Sequence, residues 1–145
     1  MDVIVDLDGT LADCTHRLHH IRGGRRKNWD AFFGACHLDT PNAVVLALVK
    51  ALEKEHRVVF CSGRPERTRR ATVQWLKDHL GVEDPDLYMR ADSDRRSDDI
   101  VKRELLARIR GDGFDPQLAI DDRKRVVDMW RSEGLICAQV AEGEF

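Results

Sequence analysis

Val3-Ile4-Val5-Asp6-Leu7-Asp8-Gly9-Thr10 passes directly from three β-branched residues to two carboxylates, a glycine and a hydroxyl. An apolar run without polar alternation predicts a strand buried on both faces of a parallel sheet. Similar runs recur at Val58-Val59-Phe60-Cys61, Leu118-Ala119-Ile120 and Leu135 to Val140, with a weaker one at Leu87-Tyr88-Met89. Helical patterns alternate with them: Asn42 to Lys54 behind Pro41, Pro65 to Leu80 stopped by Gly81, Asp98 to Arg110 behind a Ser97 cap, and Arg123 to Glu133 stopped by Gly134. Strand, helix, strand, helix predicts an α/β fold, a doubly wound, Rossmann-like parallel sheet of about five strands.

A chain of 145 residues is expected to form a single domain over 1–145, and 42% apolar residues suffice for a core. The longest apolar runs fall far short of a membrane helix, and Asp2 follows Met1 where a secretory signal would be basic and then apolar. A cytoplasmic protein is expected, as a monomer or homodimer. Cys14, Cys36, Cys61 and Cys137 are scattered without a Cys-x-x-Cys pair, so reduced core thiols are expected. The formal net charge is only −2, yet 18 of the 24 cations are Arg, clustered in Arg22 to Lys27, Arg64 to Arg70 and Arg90 to Arg96. The planar guanidinium fork suits phosphate, although a solvated surface is the commoner meaning of such clusters taken alone.

About thirty residues separate the first strand from the helix at Asn42, and a connection that long in a compact domain is usually functional. Ala12 to Thr40 can make only a small helical flap, with a short helix at Trp29 to Cys36 bearing Trp29, Phe32 and Phe33. Those rings could stack on bases, but an amphipathic core face is the commoner use of the pattern. Cys14, His16, His19, His20, Cys36 and His37 are soft zinc ligands in principle, at a spacing that matches no standard finger.

In open parallel sheets, ligands bind beyond the carboxyl ends of the strands. Those ends here carry Asp6 and Asp8 after the first strand, Ser62-Gly63-Arg64 after the second, and Asp121-Asp122 after Leu118 to Ile120. Carboxylates gathered at one edge raise one another's pKa unless a cation joins them, and hard oxygen ligands favour Mg²⁺. Lys102 sits in the first turns of the helix beginning near Asp98, four residues earlier, so that carboxylate could orient the ammonium. Each part alone has a plain explanation as a turn, a cap or a surface ion pair. Their joint occurrence in order at strand ends and a helix start points to phosphoryl transfer.

Asp6-Leu7-Asp8-Gly9-Thr10, Ser62, Lys102 and Asp121-Asp122 together resemble the four ordered motifs of the haloacid dehalogenase superfamily of phosphohydrolases. Over the second half, Cys61-Ser62-Gly63-Arg64, Asp98 to Lys102 and the run from Phe114 through Asp121-Asp122-Arg123 to Ala141 resemble the 3′-phosphatase domain of phage polynucleotide kinase-phosphatase. The resemblance covers nearly the whole chain and is weakest from Ala12 to Thr40. It implies Asp6 as nucleophile, Asp8 as acid/base and Lys102 as a catalytic cation. Mg²⁺ would be held by Asp6, the carbonyl of Asp8, Asp121 and Asp122. It further implies that Thr10, Ser62, Gly63, Arg64, Arg17 and Arg90 bind substrate phosphate, with Asp98 as site support.

The expected function is a Mg²⁺-dependent polynucleotide 3′-phosphatase acting on nucleic acid 3′ ends, DNA or RNA, through an aspartyl-phosphate. No Gly-x-x-x-x-Gly-Lys-Ser/Thr loop occurs, so no kinase activity is expected. One alternative is a phosphatase of free nucleotides or another small phosphomonoester. A non-catalytic end-binding module fits less well, because the set of catalytic residue types is complete.

Overall fold

The computed structural model describes residues 1–24 and 26–143. Arg25, within the Arg22 to Lys27 cluster, lies outside the described residues. Along the chain the elements are β1 (Asp2–Val5), β2 (Ala12–Asp13), α1 (Trp29–Gly34), β3 (Thr40–Pro41), α2 (Ala43–Glu53), β4 (Arg57–Pro65), α3 (Arg69–Leu80), β5 (Asp86–Arg90), α4 (Asp98–Gly111), β6 (Pro116–Asp121), α5 (Lys124–Ser132) and β7 (Ile136–Gln139).

Five strands form one parallel sheet in the order β5-β4-β1-β6-β7, so the expected doubly wound α/β fold is present. Val3 and Val5 pack on one face against Val45 and Val49 of α2 and Trp75 and Leu76 of α3. Ile4 faces the opposite layer, with Leu105 and Leu106 of α4 and Val127 and Trp130 of α5. Helices on both faces leave no solvent side, which is why β1 reads as an unbroken apolar run. The chain steps from β1 through β4 to β5, then returns to β6 on the other side of β1. That reversal opens a crevice at the carboxyl ends of β1 and β6.

Local signals set most boundaries. Asn42 caps α2 by accepting from the amides of Val44 and Val45, and Gly81 ends α3 at a φ of 73°. Pro65 differs from expectation: it ends β4 with a ψ of 151°, and α3 starts only at Arg69 after a short turn over Glu66–Thr68. Ser97 precedes α4, but its hydroxyl contacts the Asp99 carboxylate and caps no amide of the helix.

Residues 12–40 form a pinned excursion. Ala12 pairs with Pro41 and Asp13 with Thr40, which closes the base of the insert. Cys14, Leu18, Ile21 and Phe32 make a small core of its own, with Phe33 packed against it. All four cysteines are buried and unpaired. No helix among the described residues is long and apolar enough to cross a membrane.

Candidate active site

Asp6 follows β1, and Asp121 ends β6, its parallel neighbour across the crevice. Asp6, Asp121 and Asp122 are all buried, and an oxygen from each lies within 4.8 Å of the others. Burial and then repulsion from Asp121 push the Asp6 carboxyl well above its ordinary range. The same two causes raise Asp122 to about 6. The Thr10 hydroxyl lies 2.8 Å from Asp6 Oδ2 and 3.2 Å from Asp122 Oδ1, so its single proton serves these two acceptors.

Lys102 reaches the triad from α4. Its Nζ donates to Asp6 Oδ1 at 2.7 Å and to Asp121 Oδ2 at 2.9 Å, and the side chain is 1% exposed. Burial alone would lower its pKa, but Asp121 and Asp6 outweigh that and raise it, so the ammonium is charged. Asp121 is held from behind by the Trp130 indole N–H at 3.0 Å and by the Asp122 amide at 2.8 Å. Three hard oxygen donors under mutual repulsion fit a divalent cation such as Mg²⁺.

Asp8 faces the insert. Its Oδ1 accepts from Arg17 Nη2 at 2.6 Å and from Arg64 Nη2 and Nε at 2.8 and 3.0 Å. Burial acts to raise its pKa, but the two guanidiniums prevail and bring the carboxyl down to about 2. Both arginines are in turn gripped by Asp39: Arg17 Nε and Nη2 at 2.8 and 2.6 Å, Arg64 Nη2 at 3.1 Å. His16 Nε2 lies 2.6 Å from the same carboxylate.

Above these groups opens a cleft of about 950 Å³ whose lining includes Asp6, Asp8, Ser62, Gly63, Asp121 and Asp122. Its walls are rich in cations, among them Arg26, Lys27, Arg67, Arg90, Arg95 and Arg96. Trp29 and Phe33 also border it.

A family model for the polynucleotide kinase PNKP phosphatase domain matches residues 1–145. The chain belongs to this family. It is accordingly a phosphatase domain of the haloacid dehalogenase type. It is 30% identical over 131 residues to a protein named as a bifunctional polynucleotide kinase/RNA ligase of Autographa californica nuclear polyhedrosis virus, covering 89% of this chain and 17% of that one. It is similar to a chain of the Pnkp1/Rnl/Hen1 RNA repair complex, with a TM-score of 0.79 and 33% identity, over 99% of this chain and 43% of that one. A haloacid dehalogenase-like hydrolase from Streptococcus pneumoniae shares the fold, with a TM-score of 0.66 at 12% identity and 95% of this chain and 83% of that one covered. The chain thus spans less than half the length of the viral relative and of the repair-complex chain named here.

Within this PNKP phosphatase domain, several expected residues take unexpected positions. Arg17 and Arg64 were expected to bind phosphate, but both are fully buried, with donors on Asp8, Asp39, the Phe32 carbonyl and the Thr72 hydroxyl. Thr10, expected on substrate, is 0% exposed and bridges Asp6 and Asp122. Asp98 does not hydrogen-bond Lys102, because Asp6 and Asp121 engage the ammonium; it pairs instead with Arg90 at 2.7 Å and Arg123 at 3.4 Å. Arg90 borders the cleft, yet its other donors serve the carbonyls of Gly63, Asp94 and Arg96. Ser62 stands at the floor, its Oγ accepting from the Arg64 amide.

The zinc arrangement does not form. Among the described residues the acidic triad is the only group of three or more possible ligands that converges. Cys14 and Cys36 are buried in the insert, His16 is engaged by Asp39, and the rings of His19 and His20 are tilted by 40° with centroids 3.9 Å apart. Sequence reasoning missed Asp39 and Trp130. Asp39 shows no telling spacing, since its partners lie 22 and 25 residues away.

Proposed function

We propose that this domain removes terminal 3′-phosphates from polynucleotides, with Mg²⁺ held by Asp6, Asp121, Asp122 and the carbonyl of Asp8. The observation that carries this reading is the buried carboxylate triad, engaged by the buried Lys102, at the floor of a broad cleft bordered by arginines. The cation would offset negative charge on the phosphoryl oxygens and on the carboxylates.

Asp6 attacks phosphorus in line, and a bond from its oxygen forms as the bond from phosphorus to the 3′-oxygen breaks. Asp8 gives its proton to that oxygen, leaving a 3′-hydroxyl, and then takes a proton from the water that attacks the aspartyl-phosphate. Asp8 rests ionised between Arg17 and Arg64, so the proton it hands to the 3′-oxygen is one it first takes up from solvent or from the protonated phosphate monoester. The water step returns a proton to it as inorganic phosphate leaves and the Asp6 carboxylate is restored. An incoming phosphate raises its proton affinity by like-charge repulsion, which readies it to act first as an acid. Lys102, Ser62 and the Gly63 amide stabilise the equatorial oxygens. Arg17 and Arg64 act on the reaction through Asp8.

A polynucleotide is favoured over a small phosphomonoester by the small insert, whose own core is a handful of side chains, and by the cationic walls. RNA ends are favoured by the likeness to the RNA repair complex. Acid quenching of the protein during turnover of a 3′-³²P-labelled oligonucleotide should trap labelled protein that alkaline hydroxylamine releases. Label of that kind on an Asp6→Ala variant would contradict the assignment of Asp6.

A further inference from the structure

Trp29 stands apart from the other two tryptophans. Trp75 and Trp130 are 3% and 0% exposed, and each spends its indole N–H on a buried acceptor, whereas Trp29 is 39% exposed. Trp29 opens α1 and borders the cleft that holds Asp6 and Asp8, with Phe33 beside it. The rings of Trp29 and Phe33 are nearly parallel, 23° apart with centroids at 5.7 Å. Phe32 meets Trp29 edge-on at 87° and is 1% exposed, so it anchors the helix in the core of the insert. The pattern therefore divides: Phe32 is core, and Trp29 with Phe33 leaves aromatic surface open to the cleft.

Cations accompany that surface. Lys27 Nζ lies 5.5 Å from the Trp29 ring centroid, and Arg26 borders the same cleft. Asp30, the next residue, accepts from Arg67 at 2.8 Å and ties α1 to the turn that follows β4. Aromatic faces interleaved with cations are how proteins grip single strands, because every base offers a π face and every linkage a phosphate. A base inside a duplex has both faces covered by its neighbours, so such a surface selects an unpaired end.

We propose that Trp29, extended by Phe33, is a stacking platform for an unpaired base near the 3′ end of the substrate strand, with Lys27 and Arg26 on the adjoining phosphates. This rests on the polynucleotide reading above, and it narrows the substrate to single-stranded or overhanging 3′ ends. The test gives the unaltered protein Mg²⁺ and single-stranded 3′-phosphorylated oligonucleotides, intact or with an abasic residue at each of the last three positions in turn.

One abasic position should raise KM roughly fivefold to a hundredfold with kcat little changed, the range expected for loss of one stacked base. Trp29→Ala should raise KM for the intact strand to a similar degree and flatten the dependence on abasic position, while Trp29→Phe restores most of it. The 3′-hydroxyl product strand should quench the fluorescence of the unaltered protein, since Trp29 is its one exposed tryptophan. Equal KM for all the abasic strands would overturn the platform, as would a Trp29→Ala protein that keeps the position dependence. Hydrolysis of nucleoside 3′-monophosphates with no turnover of any oligonucleotide would overturn the polynucleotide reading itself.

Discussion

Asp6 and Asp8 lie two residues apart, yet their surroundings drive the two carboxyls in opposite directions. Burial and Asp121 raise Asp6, while Arg64 and Arg17 overcome burial at Asp8 and bring it to about 2. Asp6→Asn should abolish phosphate release while leaving thermal unfolding nearly unchanged. The raised Asp122 has a definite sign: the folded state holds its proton up to about pH 6, so the stability this gives is complete below the ordinary 3.8 and is lost as pH rises through 6. Mg²⁺ competes for the same carboxylates, so its stabilisation should be large near pH 8 and fade below about 6. Melting curves with and without Mg²⁺ check this, and a pH-independent increment would contradict it. Asp8 behaves oppositely, its contribution complete above 3.8 and lost as pH falls through about 2. Asp39→Asn should lower kcat about tenfold to a hundredfold by loosening the arginines that hold Asp8. The strand-end acids were legible because apolar runs mark where strands stop. Asp39 was not, because its role exists only once the insert folds back on β1 and β4.

At the carboxyl end of β4, Gly63 passes so close to the start of α4 that an added Cβ would lie 2.1 Å from Asp98 Oδ1. Asp98 cannot easily yield, because Arg90 and Arg123 both hold it. Gly63→Ala should therefore shift the loop that carries the Gly63 amide and reduce kcat/KM at least about tenfold, with a smaller effect on stability; kinetics set beside denaturant unfolding tests this. In the insert, Phe32 packs under the Arg17 guanidinium, 4.3 Å from ring centroid to Cζ. Phe32→Ala should cost about 3–5 kcal/mol as a core truncation and lower activity by freeing Arg17, measured by chemical unfolding and turnover. The sheet helices were readable from periodicity and from punctuation such as Asn42 and Gly81. Pro65 misled because proline also ends a strand, and the division of Trp29 from Phe32 is invisible in a helix of six residues.

Across the whole molecule, the order β5-β4-β1-β6-β7 fixes where chemistry can occur, since reversal beside β1 brings Asp6 and Asp121 to one crevice. A net charge of only −2 conceals a cleft with acids at its floor and, along its walls, arginines and Lys27 interspersed with Asp30, Asp92, Asp94 and Asp98. Such a wall should make oligonucleotide binding salt-sensitive, with log affinity falling against log salt at a slope of roughly −2 to −4 for a few phosphate contacts on a single strand. Salt titration of binding to a 3′-hydroxyl strand checks this, and a flat response would deny the wall its role. The decisive measurement is phosphate release, with and without Mg²⁺, from a 3′-phosphorylated oligonucleotide, its 5′-phosphorylated counterpart and the matching mononucleotides, with Asp6→Asn as the blank. Mg²⁺-dependent release with strong preference for the 3′-phosphorylated polymer is expected. Equal or better turnover of mononucleotides, or release by Asp6→Asn, would contradict that expectation.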